Sequence, residues 1–417
     1  MTQRGKTKNM ITLVVISLCA GIIYQVPYLK AVFYDALQVA LNVSHTELGS
    51  LNTIYGVAAM ILYIPGGILV DKIRMKYLFP ISMIGCGLLV FWFATLPSLR
   101  ILQLIYLLLA VFSILTFWSA RVKVVRFLST KENYPTNQGV SGSLYALAGL
   151  LCSFAAMAFI SSGDGSSVAD LQRALIFYAV VYTGFGILSF FTIPKFDDEI
   201  DTTAKFHIRE FVEALKQPGV WVVAMSTFAI YAIQISVPYT TPYLTNIYFA
   251  PAVLISAISI IRTYGINVIS APISGFIAKK IGSTGKLMIV FSVCVIAMST
   301  VFLLTPVKES LTLVVIIFSL ICAFFATGMN GVAIVQLDEV GVPKRVFGGA
   351  SGIVSVIGYI PDVFIYTMYG MWLDKYAGAT GYNRIFIAMI FWALLSIVFS
   401  ALVLILGRKR KLQTSED

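Results

Sequence analysis

Long apolar runs, each broken by a few charged residues, recur along the whole chain. One helical crossing of a bilayer takes roughly 20 apolar residues. A window of about 19 residues finds such runs near 10–35, 47–70, 77–97, 101–125, 139–161 and 172–193. A second set lies near 219–243, 252–278, 287–306, 311–336, 347–372 and 385–407, and the runs are numbered as spans one to twelve in chain order. Between the sets, Pro194 to Pro218 is the longest polar stretch, holding Asp197, Asp198, Glu199 and Asp201 and then an amphipathic segment from Phe206 to Lys216. The pattern predicts an all-α membrane protein of twelve transmembrane helices. An N-terminal six-helix bundle takes 1–193, a central cytoplasmic loop 194–218 and a C-terminal six-helix bundle 219–417.

Composition agrees. The 417 residues are 59% hydrophobic and 12% charged, against roughly 25% charged in soluble domains, which excludes a soluble enzyme. The net charge of +11 could suggest nucleic acid, but such binders gather Lys and Arg on one exposed face. Here the basic residues sit between apolar runs, and no nucleic-acid partner is expected. With the N-terminus inside, the inner loops hold 21 of them: Arg4, Lys6, Lys8, Lys72, Arg74, Lys76, Arg126, Lys131, Lys195, Lys205, Arg209, Lys216, Lys279, Lys280, Lys286, Lys344, Arg345, Arg408, Lys409, Arg410 and Lys411. The outer loops hold 5: Arg100, Arg173, Lys308, Lys375 and Arg384. The excess side stays cytoplasmic, so both termini are expected there. The basic start and the apolar run from Met10 resemble a signal peptide, but no A-x-A cleavage pattern comes after it, so the run reads as a retained span. Cys19, Cys86, Cys152, Cys294 and Cys322 fall inside the runs without CxxC spacing and read as apolar packing residues.

An internal repeat divides the chain. Gly67-Ile68-Leu69-Val70-Asp71-Lys72-Ile73 follows span two, and Gly275-Phe276-Ile277-Ala278-Lys279-Lys280-Ile281 follows span eight, an offset of 275 − 67 = 208. Pro135 and Pro343 share the offset, 343 − 135 = 208. Internal duplication is typical of secondary transporters. Together the spans, the long central loop and the Gly-x-x-x-Asp-Lys loop resemble the major facilitator superfamily over essentially the whole chain. The family's loop motif continues with Gly, Arg and a basic residue, where this chain has Arg74, Met75 and Lys76. In the second copy Lys279 stands at the acidic position and Gly282 at the expected glycine. The resemblance implies alternating access about a central site, with spans one, two, four, five, seven and ten among its walls and Gly67, Asp71 and Gly275 in gating.

Enzyme signatures such as H-E-x-x-H, a Walker loop or a nucleophile elbow do not occur; an enzyme, a cofactor and a metal site are not expected. Gly85-Cys86-Gly87 and Gly184-Phe185-Gly186 lack the third glycine of a dinucleotide loop and read as close helix packing. Without a Walker sequence, accumulation must draw on an ion or solute gradient.

Ionisable groups deep in a bilayer are the sharpest chemical signal, because each costs at least about 2.5 kcal/mol at a helix centre. Arg262 in span eight and Asp362 in span eleven are the clear cases, each about 4 Å outward of its span centre. At 100° per residue, Gly348, Ser351, Ser355, Tyr359, Asp362, Tyr366 and Tyr369 form one polar face of span eleven. Arg262 edges a face of Ser256, Ser259, Thr263, Asn267, Ser270 and Ser274. Further candidate walls are Ser17, Gly21, Tyr24, Tyr28 and Asp35 in span one, and Asn52, Tyr55, Ala59 and Tyr63 in span two. Span seven adds Thr227, Tyr231, Gln234, Pro238 and Thr241, span five Tyr145 and Gly149, and span ten Asn330 beside Thr327. Spans three, six, nine and twelve lack such faces and are expected to meet lipid. Lys30 points away from the Tyr24 and Tyr28 face and is expected to snorkel to the outer interface. Arg121, Lys123 and Arg126, near the cytoplasmic end of span four, read as anchors, with guidance of anions at an inner vestibule as the alternative.

The expected activity is secondary transport of a small, anionic organic metabolite, functioning as a monomer in membrane lipid of a bacterial inner membrane. The candidate substrate residues are Arg262, Tyr359, Tyr366, Tyr24, Tyr28, Tyr55, Asn52, Tyr231, Gln234 and Asn330. Asp362 is the candidate for proton coupling by symport, since burial favours a neutral carboxyl and a neighbouring guanidinium an ionised one. A substrate that takes Arg262 would then leave Asp362 to bind a proton. A central Arg in span eight resembles the oxalate and nitrate/nitrite exchangers of the superfamily, which use positive residues for small anions. Asp362 occupies the helix where the oxalate type keeps a lysine, and that departure points to proton-coupled movement of a monoanion or sugar acid. A neutral solute, a sugar or nucleoside held by Tyr, Gln234 and Asn330, is the alternative, and efflux by an antiporter the third. A signalling role would need a soluble domain of about 50 residues or more, longer than the central loop.

Overall fold

A computed structural model describes residues 3–129, 133–160, 168–196, 199–200, 208–343 and 346–416. The loop residues Lys131, Asp197, Asp198, Asp201, Lys205, Phe206, His207, Lys344 and Arg345 lie outside the described residues.

The described secondary structure is helical, as the apolar pattern requires. Among the described residues, ten helices are long and apolar enough to cross a membrane: Met75–Phe93, Leu99–Phe127, Asn137–Ile160, Val168–Thr192, Pro218–Asn246, Ala252–Ile281, Thr284–Leu304, Glu309–Glu339, Phe347–Lys375 and Ala379–Arg408. They correspond to spans three to twelve. Span two is a pair, His45–Tyr63 and Pro65–Lys72, bent by 55°. Its start is set by Ser44, whose hydroxyl accepts from Glu47 N at 3.2 Å while Ser44 N donates to Glu47 Oε2 at 2.8 Å. This reciprocal cap fills the donors a helix start leaves open.

Span one differs from the expected continuous helix. Gln3–Ile23 ends before Pro27, a 3-10 turn comes next at Leu29–Ala31, and a short helix runs over Tyr34–Leu41. Proline lacks an N–H and restricts the residue before it, so backbone groups are released inside an apolar protein. Each finds a side chain. Asn52 Nδ2 donates to Pro27 O at 2.8 Å, Gln25 Nε2 to Gly21 O at 2.8 Å and Tyr182 Oη to Ile23 O at 3.2 Å, while Val26 N donates to Tyr182 Oη at 3.1 Å. The break also overturns the expectation for Lys30. It is buried within the 3-10 turn, 5% exposed, because the helical phase used to aim it outward stops at Ile23.

Irregular backbone recurs in particular spans. Span four has a π-helical turn over Val111–Trp118, and span eight one over Ile261–Gly265. Span seven narrows to a 3-10 turn at Val237–Tyr239 and span ten at Ala333–Val335, while span eleven breaks between Gly358 and Pro361. Spans three, six, nine and twelve run unbroken and carry exposed Leu88, Phe191, Val293 and Phe391. Broken backbone in a membrane persists where protein or a watery cavity can satisfy it. Span five, expected to line the cavity, is unbroken as well.

The chain forms two compact units, Met1–Ala204 with Ala252–Gly265, and Lys205–Pro251 with Ile266–Asp417. Relative to the expected division at 194–218, the first half of span eight thus groups with the first six spans. In the first unit the two paired-glycine segments face one another across spans three and six. A Cβ on Gly87 would strike Thr183 Oγ1, and one on Gly186 would lie 2.7 Å from Ile84 Cγ1. In the second unit buried hydroxyls pair across helices, Ser292 with Ser396 at 3.0 Å and Ser226 with Ser400 at 3.2 Å.

The duplicated loop ends its helix differently in its two copies. Gly282 takes φ +71°, and Ser283 N and Gly282 N donate back to Ala278 O and Lys279 O, both at 3.2 Å, the glycine-terminated turn that ends many helices. At the equivalent site Arg74 is extended, φ −62° and ψ 131°, and directly precedes the helix of span three.

Candidate functional site

In the first unit, tyrosines converge on the π turn of span four. Ser113 Oγ donates to Leu109 O at 2.7 Å, so at 2.8 Å it accepts from Tyr55 Oη. Tyr24 Oη donates to Ser113 O at 3.1 Å. Tyr28 stands edge-on to Tyr55 with centroids 5.5 Å apart, and Tyr24 and Tyr63 both stand edge-on to Trp118 at 6.2 Å. Tyr55 and Asn52 are fully buried and bonded within the protein, to Ser113 and Pro27; Tyr28 is half-buried.

Arg262 lies in the π turn of span eight and is 2% exposed. Its Nη2 donates to Ala31 O at 2.9 Å, the last residue of the 3-10 turn in span one. Next to it, Tyr264 fills the space over Gly149, where a Cβ would fall 2.5 Å from the ring. Arg121, expected to anchor span four, turns inward. Its guanidinium lies 5.2 Å from the centre of the Tyr145 ring, near the middle of span five.

In the second unit, span eleven restarts at Pro361, which suits the first helical position because no N–H is needed there. Asp362 is then in the first turn, where a helix favours negative charge. It is 6% exposed, and its Oδ2 accepts from Tyr231 Oη at 2.9 Å. Tyr231 stands edge-on to Tyr359, centroids 4.6 Å apart, and Tyr366 is buried one turn further along. Gln234, one turn beyond Tyr231, has its Oε1 buried with no hydrogen-bond partner among the described residues. Asn330 is half-buried just before the 3-10 turn of span ten. The sequence-derived residues thus fall into two groups, Tyr24, Tyr28, Asn52, Tyr55 and Arg262 in one unit and Tyr231, Gln234, Asn330, Tyr359, Asp362 and Tyr366 in the other.

At the end of span two, Asp71 pairs with Lys123 Nζ at 2.5 Å. Lys123 also donates to Val70 O at 3.1 Å and Glu199 O at 2.7 Å. A cavity of about 600 Å³ opens here, lined by Val70, Asp71, Trp118, Ser119, Lys123, Arg126 and Phe127. Glu199, read from the sequence only as loop charge, is 1% exposed. Its Oε2 accepts from Met75 N at 3.4 Å, and its Oε1 lies 3.8 Å from Arg74 Nε. No pattern marks it out from Asp197, Asp198 and Asp201, because its partners come from spans two to four. Glu339 does a related task in the second unit, bonding Ser283 Oγ and Gly285 N at the start of span nine. The gating candidates Gly67 and Gly275 are not sterically pressed, since a Cβ on Gly67 meets nothing within 4 Å and one on Gly275 only Val332 at 3.9 Å. The close approach falls on Gly66, where a Cβ would lie 2.9 Å from Leu115 O.

Comparison with known proteins agrees with this architecture. The chain is 26% identical over 391 residues to the Inner membrane protein YqcE of Escherichia coli (strain K12), covering 92% of each. It is 24% identical over 418 residues to the Inner membrane protein YihN of the same strain, covering 96% of this chain and 97% of that one. Among solved structures, the nucleoside transporter NupG superposes with a TM-score of 0.72 at 14% identity, covering 95% of this chain and 98% of the other. A bacterial homolog of the human lysosomal transporter Spinster, inward-facing and unoccupied, gives 0.70 at 12% identity with 98% of each covered. The Major Facilitator Superfamily family model matches residues 12–364. With its helical spans, broken pore-type helices and duplicated loops, the chain is an integral membrane transporter that belongs to the major facilitator superfamily.

Proposed function

We propose that the protein moves a small organic anion across a bacterial inner membrane by alternating access, with uptake coupled to protons at Asp362 and both termini cytoplasmic. One observation carries the reading: a membrane carboxylate, 6% exposed, sits in the first turn after a helix break and accepts a tyrosine hydroxyl at 2.9 Å. Ionisable groups inside a membrane are expensive and functional by default, and discontinuous helices are where transporters of this kind place coupling and substrate groups. Tyr231 can donate to the ionised carboxylate or yield to a proton on it. On the substrate side Arg262 exchanges the Ala31 carbonyl for an oxyanion, a stronger charge-assisted partner. Tyr28 in the first unit, and Tyr359, Tyr366, Gln234 and Asn330 in the second, are each candidate substrate groups. Tyr24, Tyr55 and Asn52 shape the site, since their polar groups already serve Ser113 and Pro27. Asp71, tied to Lys123, serves the cytoplasmic gate together with Gly67 and Gly275.

Asp362→Asn in proteoliposomes tests the coupling. Accumulation driven by a pH gradient should disappear while substrate exchange continues; unaltered pH-gradient dependence defeats the role. Arg262→Ala should abolish anion uptake in protein that remains folded, and normal uptake removes Arg262 from the site.

A second reading, a neutral solute such as a nucleoside, is favoured by the buried Oε1 of Gln234 beside the Tyr231–Tyr359 pair, an amide acceptor suited to a hydroxyl or base N–H. It predicts uridine uptake that survives Arg262→Ala.

A further inference from the structure

We infer that Arg121 is a second seat for the substrate's oxyanion in the first unit, besides that of Arg262, although its place in the sequence reads as an anchor. The inference rests on the organic-anion reading and names its binding group. Lys123, two residues further on, is held by Asp71 and two carbonyls. Among the described residues no carboxylate lies within ion-pair distance of Arg121, and none of its N–H groups has a protein acceptor. The guanidinium is half-buried and lies over the ring of Tyr145, 5.2 Å from its centre. An arginine serving only as an anchor extends to the headgroups; this one points toward the middle of span five.

The surroundings suit a ligand. The cation–π contact with Tyr145 uses none of its five donors, which leaves them for two oxygens of a carboxylate, sulfonate or phosphate monoester. Trp118, one turn before Arg121, carries Tyr24 and Tyr63 edge-on. The guest is therefore an oxyanion on a small carbon body that rests against aromatic walls. The π turn of span four ends at Trp118, three residues before Arg121, and such turns are frequent at functional sites.

The test is binding to the full-length protein in lipid nanodiscs, measured by calorimetry with three matched pairs: glucuronate and glucose, glycerol 3-phosphate and glycerol, lactate and propylene glycol. At least one anion should bind where its neutral partner does not. Arg121→Gln should weaken that anion about tenfold or more, the worth of a charge-assisted hydrogen bond, and Arg121→Lys should recover part of the loss. If Arg121→Gln is not recovered folded, Tyr145→Leu gives the second measurement, with a several-fold loss expected and undiminished affinity counting against the proposal. An anion that binds Arg121→Gln as it binds the wild type overturns this inference and leaves the anion reading standing. Binding of no anion, or of neutral partners as tightly as anions, overturns the anion reading and this seat with it.

Discussion

Asp362 and Tyr231 show what single residues contribute. A carboxylate placed among apolar side chains needs a partner for each state it adopts, and the tyrosine hydroxyl at 2.9 Å supplies one. Hydrogen bonds to a charged group are worth about 1.5–3 kcal/mol. Tyr231→Phe should therefore reduce proton-driven accumulation by about tenfold or more while leaving substrate exchange near normal, as read by counterflow in proteoliposomes. Asp362 was legible because charge is rare in a span. Tyr231 was legible as one member of a polar face. Arg121 reads from its position as an anchor, with guidance of anions as the alternative, and its guanidinium lies over Tyr145 of span five. Position along a helix does not encode the direction of a long side chain. Lys30 misleads in the opposite way, since only the hydrogen bonds made around Pro27 reveal that the helix ends at Ile23.

Helices three and six read correctly as glycine-packed, because small residues inside an apolar run have few other uses. Gly186 closes against Ile84. Gly186→Val should overpack this contact and destabilise the fold by about 1–3 kcal/mol, seen as a lower melting temperature in detergent with substrate selectivity unchanged. The docked stretch ending the first bundle invites a second substitution. Glu199→Ala removes the acceptor for Met75 N and the partner of Arg74. A loss comparable to a helix cap, about 0.5–2 kcal/mol, should appear as faster amide exchange at the start of span three, and unchanged exchange would show the carboxylate to be incidental. Helix interruptions were visible beforehand where a proline marks them, at Pro27, Pro65, Pro238 and Pro361, but the π turns at Val111–Trp118 and Ile261–Gly265 contain no proline and depend on neighbours packed from elsewhere in the chain.

For the molecule as a whole, the sequence carries the duplication and predicts the orientation. The offset of 208 residues and the 21-to-5 split of basic loop residues predict a fluorescent C-terminal GFP fusion and an inactive alkaline phosphatase fusion at the same end; the reverse would invert the topology. The grouping of Ala252–Gly265 with the first unit was not legible, because it depends on contacts between residues distant in sequence. The π turn of span four has a consequence for how such a protein diversifies. A wide turn arises when one extra residue enters a regular helix, and each residue rotates the remainder of the helix by about 100°. Deleting one residue within 111–118 would keep a membrane-length helix yet swing Arg121 off Tyr145 and Lys123 off Asp71 together. On the roles proposed for Arg121 and Asp71, a single codon gained or lost there would change selectivity and gating in one step.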